Sequence, residues 1–189
     1  MKKLLQIPLW FLLLGAVVLC KQPATEVGAS QGSVVANNTS TTATTVYVVR
    51  HAEKDVSNPT DQDPDLSAEG KARADSLREL LQDVELGGLY ATKYIRTKNT
   101  LKPLSEERKL EISEYKTNDF VSLKRKLLQE HLGQTVVVAG HSNTLLPLIE
   151  ALGAKPKISF ISETEYDYIF KVTMVPDKAS TLEVSQYSN

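Results

Sequence analysis

The segment Thr135-Val136-Val137-Val138-Ala139 constrains the fold more than any other stretch of the chain. Three consecutive valines leave no polar alternation, so neither side of such a strand is meant for water. A continuous apolar run of this kind suits a strand covered on both faces, as in a parallel sheet layered by helices. Val46-Tyr47-Val48-Val49 is a second run of β-formers and reads as a buried strand in the same way.

Between and after these strands the apolar spacing becomes helical. Ala72, Leu77, Leu80, Leu81 and Val84 recur at helix spacing behind Ser67, a good N-cap, and Gly87-Gly88 stops the pattern. Leu89-Tyr90-Ala91 reads as a weak strand. Ile95, Leu101 and Leu104 mark a second helix, which Pro103 is expected to kink or end. Leu110 to Tyr115 suggests a third strand and Phe120, Leu123, Leu127 and Leu128 a third helix. Leu145, Leu146, Ile149 and Leu152 form a fourth, closed by Gly153. The alternating stretch from Ile158 to Tyr187 reads as a hairpin plus one further strand. Strands alternating with helices predict an α/β fold: a three-layer sandwich whose mostly parallel central sheet is flanked by helices, with a β-hairpin at the C-terminus.

The N-terminal part has a different character. Lys2 and Lys3 precede an almost wholly apolar run from Ile7 to Cys20. That run is shorter than the ~20 residues of a comfortable membrane span and fits a secretory signal. Ending on a lone cysteine, it resembles a bacterial lipoprotein signal, in which Cys20 becomes the lipidated N-terminus. Leu19 stands where a small residue is usual, so a plain secreted form cut further on is the other reading. Residues 21–44 are rich in Ser, Thr, Ala, Asn and Gln without periodicity, the composition of a flexible tether. The expected organisation is a signal at 1–20, a tether at 21–44 and one folded domain at 45–189. The expected location is exported, periplasmic or at the cell surface, tethered to a membrane through Cys20.

The formal net charge of −1 argues against a nucleic-acid partner. Without Lys2 and Lys3 the chain counts 20 basic against 23 acidic residues, so any anion site must be built from particular arginines. One cysteine allows no internal disulfide and no Cys/His zinc pattern.

In open α/β sheets ligands bind beyond the carboxyl ends of the strands. Arg50-His51 and Gly140-His141 stand directly after the two clearest strands, and they hold two of the three histidines. His131, at the end of the third helix, reads as structural, complementing the helix dipole.

Four segments then agree with one family. Arg50-His51-Ala52-Glu53 resembles the Arg-His-Gly motif of the histidine phosphatase superfamily, the phosphoglycerate-mutase-like enzymes of branch 1. Asp65-Leu66-Ser67 with Gly70 is similar to the segment that opens its first helix. Tyr90-Ala91-Thr92 through Arg96-Thr97 and Thr100 resembles its second-arginine motif, and Gly140-His141-Ser142 its second-histidine motif. Ala52 replaces the usual glycine, as in other small members, and is tolerable where φ stays negative.

The resemblance implies a phosphatase with His51 as nucleophile. A neutral imidazole is a good nucleophile near neutral pH. Arg50 and Arg96 would bind phosphoryl oxygens bidentately, with His141, if protonated, as a third donor. This scheme needs no cofactor and no metal. Metal binding through His51, Glu53 and His141 ranks low, because two neighbouring arginines would repel a cation. The leaving group needs a proton, and Glu114 occupies about the place of the family's glutamate, with Asp119 as the alternative. Specificity is expected from the segments Asp55–Asp65 and Ser113–Asp119. A domain of 145 residues lacks the insertions that form a mutase lid, so water should reach the site. Hydrolysis of a phosphorylated small molecule or phosphoprotein is therefore expected, with a non-catalytic phosphoryl-binding module as the other reading.

Lipidation at Cys20 is testable by itself. Cys20→Ser is expected to move the protein from the membrane fraction to the soluble fraction of the expressing cell. An unchanged distribution on fractionation would remove the cysteine as the anchor.

Overall fold

The computed structural model describes residues 42–187. The expected signal, Cys20 and the expected tether up to residue 41 lie outside the described residues. The first strand begins at Thr44, one residue before the expected start of the domain. Thr44 is fully buried, and its hydroxyl donates to the His131 carbonyl at 3.2 Å while accepting from the Gly133 amide at 3.1 Å.

The order of elements is β1 (Thr44–Arg50), α1 (Ala68–Leu80), β2 (Gly88–Ala91), α2 (Ile95–Arg108), β3 (Ile112–Glu114), α3 (Phe120–Glu130), β4 (Thr135–Gly140), α4 (Ser142–Ala151), β5 (Tyr168–Met174) and β6 (Thr181–Gln186). The strands form one six-stranded sheet in the order β3-β2-β4-β1-β5-β6. β3, β2, β4 and β1 run parallel; β5 joins β1 antiparallel and closes the hairpin with β6.

Residue alternation in the two valine-rich strands builds the layers. Val46, Val48, Val136 and Val138 face one side, where they pack with Leu123 and Leu127 of α3 and Leu145 and Ile149 of α4. Val49, Val137 and Ala139 face the other side, against Leu77 and Leu81 of the first helical segment and Leu101 and Leu104 of α2. Each strand thus spends consecutive residues on opposite cores, which is why the runs carry no polar positions.

Three sequence expectations shift. The buried face of α1 is Ala74, Leu77 and Leu81, whereas Ala72 and Leu80 face solvent. Pro103 neither ends nor divides α2, which continues to Arg108. Leu101 and Leu104, both fully buried, hold the helix against the sheet across the missing hydrogen bond, so tertiary packing outweighs a local cost of ~3 kcal/mol. The tail contains the hairpin but no further strand. Residues 158–167 form an irregular segment between α4 and β5 instead.

α1 starts in direct contact with the turn that follows β1. Ser67 caps the helix by accepting from the Gly70 amide, and its own amide donates to the Glu53 carbonyl at 2.9 Å. A side-chain carbon on Gly70 would fall 2.1 Å from that same carbonyl oxygen. Gly70→Ala is therefore expected to lower unfolding stability by about 1–3 kcal/mol, the usual cost of overpacking against a backbone that cannot yield. A urea midpoint equal to that of the parent protein would show that the α1 start can move.

Candidate active site

Parallel pairing of β1 with β4 aligns Arg50 with Gly140, and the His51 amide donates to the Gly140 carbonyl at 2.9 Å. The next residue on each strand is a histidine, so His51 and His141 stand side by side with ring centroids 5.3 Å apart. β2 lies on the far side of β4, and Thr92, just past its end, reaches His141. Three strand ends thereby supply one pocket of about 440 Å³, which Arg50, His51, Arg96 and His141 all line.

The turn after β1 holds His51 in one orientation. Its Nδ1 lies 2.8 Å from the Ala52 carbonyl oxygen. A carbonyl only accepts, so Nδ1 carries the proton and Nε2 keeps its lone pair. The Ala52 amide donates to Thr100 Oγ1 at 2.9 Å, and that hydroxyl donates to the Arg96 carbonyl at 2.7 Å. Thr100 thus ties the turn to α2. Ala52 has negative φ, and its methyl is buried with Leu66 and Ala74. Glycine's freedom is not required there.

Burial pushes the His51 pKa down to about 3, helped by His141, Arg50 and Arg96 and opposed by its bond to Ala52. His141 is held at about 4, by burial first and then by Arg96 and Arg50, against the weaker pull of Glu163 and Asp63. Both rings are neutral near pH 7. His141 is therefore a neutral ring in the unliganded protein. Its Nε2 lies 3.0 Å from Thr92 Oγ1, itself 2.8 Å from Thr97 Oγ1. Thr92 and Thr97 orient the second histidine as Thr100 orients the first.

Each arginine stacks on a tyrosine. The Arg96 guanidinium lies 4.4 Å from the Tyr94 ring centroid and that of Arg50 4.0 Å from Tyr166. Arg50 is 2% exposed and donates to the Ser162 and Glu165 carbonyls and to the Glu163 carboxylate at 2.7 Å. Arg96 approaches Asp63 at 3.4 Å, and Asp63 also accepts from the Ile95 amide at the start of α2. The Nε of each arginine is a buried donor without a protein partner among the described residues. An unsatisfied buried donor costs about 1–3 kcal/mol, so these groups favour an anion that accepts from them.

The two expected proton donors are elsewhere. Glu114 pairs with Lys98 at 3.0 Å on a half-exposed surface and lines a separate cavity with Lys93 and Asp119. Asp119 caps α3 by accepting from the Ser122 amide, and that bond holds its carboxyl below the usual carboxylate range. Neither lines the pocket of His51. Glu53 is taken up by Arg73 through hydrogen bonds of 2.6–2.9 Å, which removes it from the metal-binding set considered from sequence. The specificity segments also change. Thr117 and Asn118 reach the pocket, but residues 55–65 do not line it.

Glu163 is the carboxylate that does line the pocket, and sequence reasoning missed it. It bridges Arg50 and the Ser142 hydroxyl, and the Ser142 bond, followed by Arg50, keeps it ionised. Its segment had been read as a strand, which would have pointed alternate residues away from the site. His131 is structural as expected, but through Tyr90 and Gln134, each 2.8 Å from a ring nitrogen.

A family model of the histidine phosphatase superfamily (branch 1) matches residues 46–117. Over those 72 residues the chain is similar to the histidine phosphatase superfamily. Its fold is shared by solved structures of low identity. The protein histidine phosphatase SixA bound to tungstate is 18% identical with a TM-score of 0.60, over 76% of this chain and 96% of that one. A putative α-ribazole-5′-phosphate phosphatase of Escherichia coli K-12 is 16% identical with a TM-score of 0.59, over 76% and 96%. A mycobacterial glucosyl-3-phosphoglycerate phosphatase is 12% identical with a TM-score of 0.58, over 77% and 99%. No curated protein sequence matches the chain.

The tautomer and the depressed pKa are directly measurable. In ¹⁵N-detected imidazole spectra at pH 7, His51 is expected as the Nδ1-protonated form, without titration between pH 5 and 8. Below pH 6.5 the unfolded chain takes up protons that the folded pocket accepts only near pH 3 and 4, so stability should fall as pH drops through that window. A His51 resonance titrating near 6.5 would contradict the buried, neutral ring.

Proposed function

We propose that this protein is a metal-independent phosphatase that hydrolyses a phosphomonoester or phosphoprotein through a phosphohistidine on His51. The observation that carries the reading is the Nδ1 bond to the Ala52 carbonyl, which leaves the His51 Nε2 lone pair beside two stacked arginines. The Nε2 lone pair attacks phosphorus as the bond to the leaving oxygen breaks, and that oxygen departs with the electron pair and takes up a proton. Water then attacks phosphorus, the P–N bond breaks, and Nε2 regains its lone pair. Splitting the displacement leaves the protein chiefly to position the phosphoryl group and offset its charge.

Arg50 and Arg96 supply that charge, and tyrosine stacking holds their planes in place. Burial first and then the arginine fields keep His141 neutral; a bound dianion offsets the arginine fields and so favours a protonated His141 that donates to the phosphoryl group. Neither Glu114 nor Asp119 is placed to protonate the leaving group, and Glu163 is ionised. Such a site favours leaving groups that depart without strong protonation, such as aryl oxides. Ionised Glu163 is suited to accept a proton from the water of the second step. The N-terminal pattern adds to this reading an exported enzyme tethered through Cys20.

The test is p-nitrophenyl phosphate hydrolysis with EDTA present, beside His51→Ala and Arg96→Ala. Activity is expected to persist in EDTA and to vanish in His51→Ala. In Arg96→Ala it should fall by about 10²-fold or more, the usual effect of losing one donor to the transition state. Phosphate or vanadate binding without turnover in the parent protein would favour the non-catalytic binding module instead.

A further inference from the structure

A second cavity, of about 250 Å³, adjoins the histidine pocket. The two share Ser142, Asn143 and Glu163, so one opens beside the other across the Glu163 carboxylate. The far walls are of a different kind: Leu146 and Pro147 of α4 face Phe160 and Ile161 of the segment after it. Phe160 is 73% exposed, although it is one of the chain's four phenylalanines and lies outside the core. An aromatic ring left in water beside an apolar cavity gains from being covered, because burial releases its apolar surface from solvent.

The wall between the cavities is fixed rather than loose. Arg50 holds the segment through the Ser162 and Glu165 carbonyls, Tyr166 lies against its guanidinium, and Glu163 accepts from both Arg50 and Ser142. Anything bonded to a phosphoryl group on Arg50 and extending this way must pass an ionised carboxylate before reaching Phe160. The Glu163 side chain is 78% exposed, so repulsion of an anionic substituent over a few ångströms is screened by water and worth about fivefold in affinity at low salt. A neutral apolar substituent passes without that penalty.

We propose that this cavity is the subsite for the group the phosphoryl is attached to, and that it takes an uncharged aromatic or aliphatic group, with Glu163 excluding anionic ones. This inference rests on the phosphatase reading and specifies its substrate class. Continuity with the phosphoryl pocket identifies the occupant as the substrate's own organic part.

Non-hydrolysable phosphonates test it by calorimetry on the full chain: methylphosphonate, benzylphosphonate and 4-carboxybenzylphosphonate. Benzylphosphonate is expected to bind at least tenfold more tightly than methylphosphonate, and the carboxylated analogue to lose most of that gain. Phe160→Ala should bring the benzyl-to-methyl ratio towards one, and Phe160→Leu should retain part of it. At low salt, Glu163→Gln should narrow the difference between the benzyl and carboxybenzyl ligands by about fivefold, while Glu163→Asp should keep it. A benzyl-to-methyl ratio near one in the parent protein, or one that Phe160→Ala leaves unchanged, overturns the subsite while the phosphatase reading stands on methylphosphonate binding. Failure of methylphosphonate itself to bind overturns both.

Discussion

The pairing of β1 with β4 is the constraint on which the site depends. These strands are far apart in sequence, and each carries a histidine immediately beyond its last paired residue. Parallel register places the two rings together, and the His51 amide to Gly140 carbonyl bond extends that register one residue past the strands. Slipping the pairing by one residue would turn each valine to the opposite core and carry the histidines apart. The two hydrophobic cores, one on each face, therefore determine the geometry of a polar site that they do not touch.

That arrangement sets the electrostatics. The rings sit where burial and two guanidinium groups all oppose a positive charge, so both stay neutral near pH 7. Burial, with a smaller push from the same arginines, keeps His51 neutral, the form the proposed mechanism needs before a phosphoryl group arrives. A tyrosine face and a carboxylate fix each arginine, Tyr166 with Glu163 for Arg50 and Tyr94 with Asp63 for Arg96, while the Nε of each is left without a protein partner among the described residues.

The fold was legible in the sequence where residue pattern and burial coincide. Val136-Val137-Val138 has only one reading as a strand between two cores, and the residues after β1 and β4 follow from it. Arg96 was legible only through the resemblance of residues 90–100 to the family's second-arginine motif, and the structure supplies the reason for Thr97 and Thr100. Glu114 misled because its position along the chain matches a family glutamate, whereas its side chain turns to Lys98 at the sheet edge. Local pattern cannot report which way a residue past a three-residue strand points. Glu163 was hidden by the opposite error: an irregular segment containing Ile158, Phe160 and Tyr166 imitates strand alternation, and only its long-range bonds to Arg50 reveal it.

The position of Glu163 links the chemistry to the openness of the site. Arg50 and Ser142 hold the Glu163 carboxyl below the usual carboxylate range, so in the proposed mechanism it is suited to receive a proton from water rather than to protonate an alkoxide. On that reading the first displacement depends on how well the leaving group carries negative charge, and the second on how readily water enters. The short segment after α4 holds Arg50 through the Ser162 and Glu165 carbonyls and lines both the histidine pocket and its apolar neighbour through Glu163. If the proposed reading holds, one latch of backbone carbonyls, a tyrosine face and a carboxylate couples phosphoryl binding to the choice of what the phosphoryl group leaves behind.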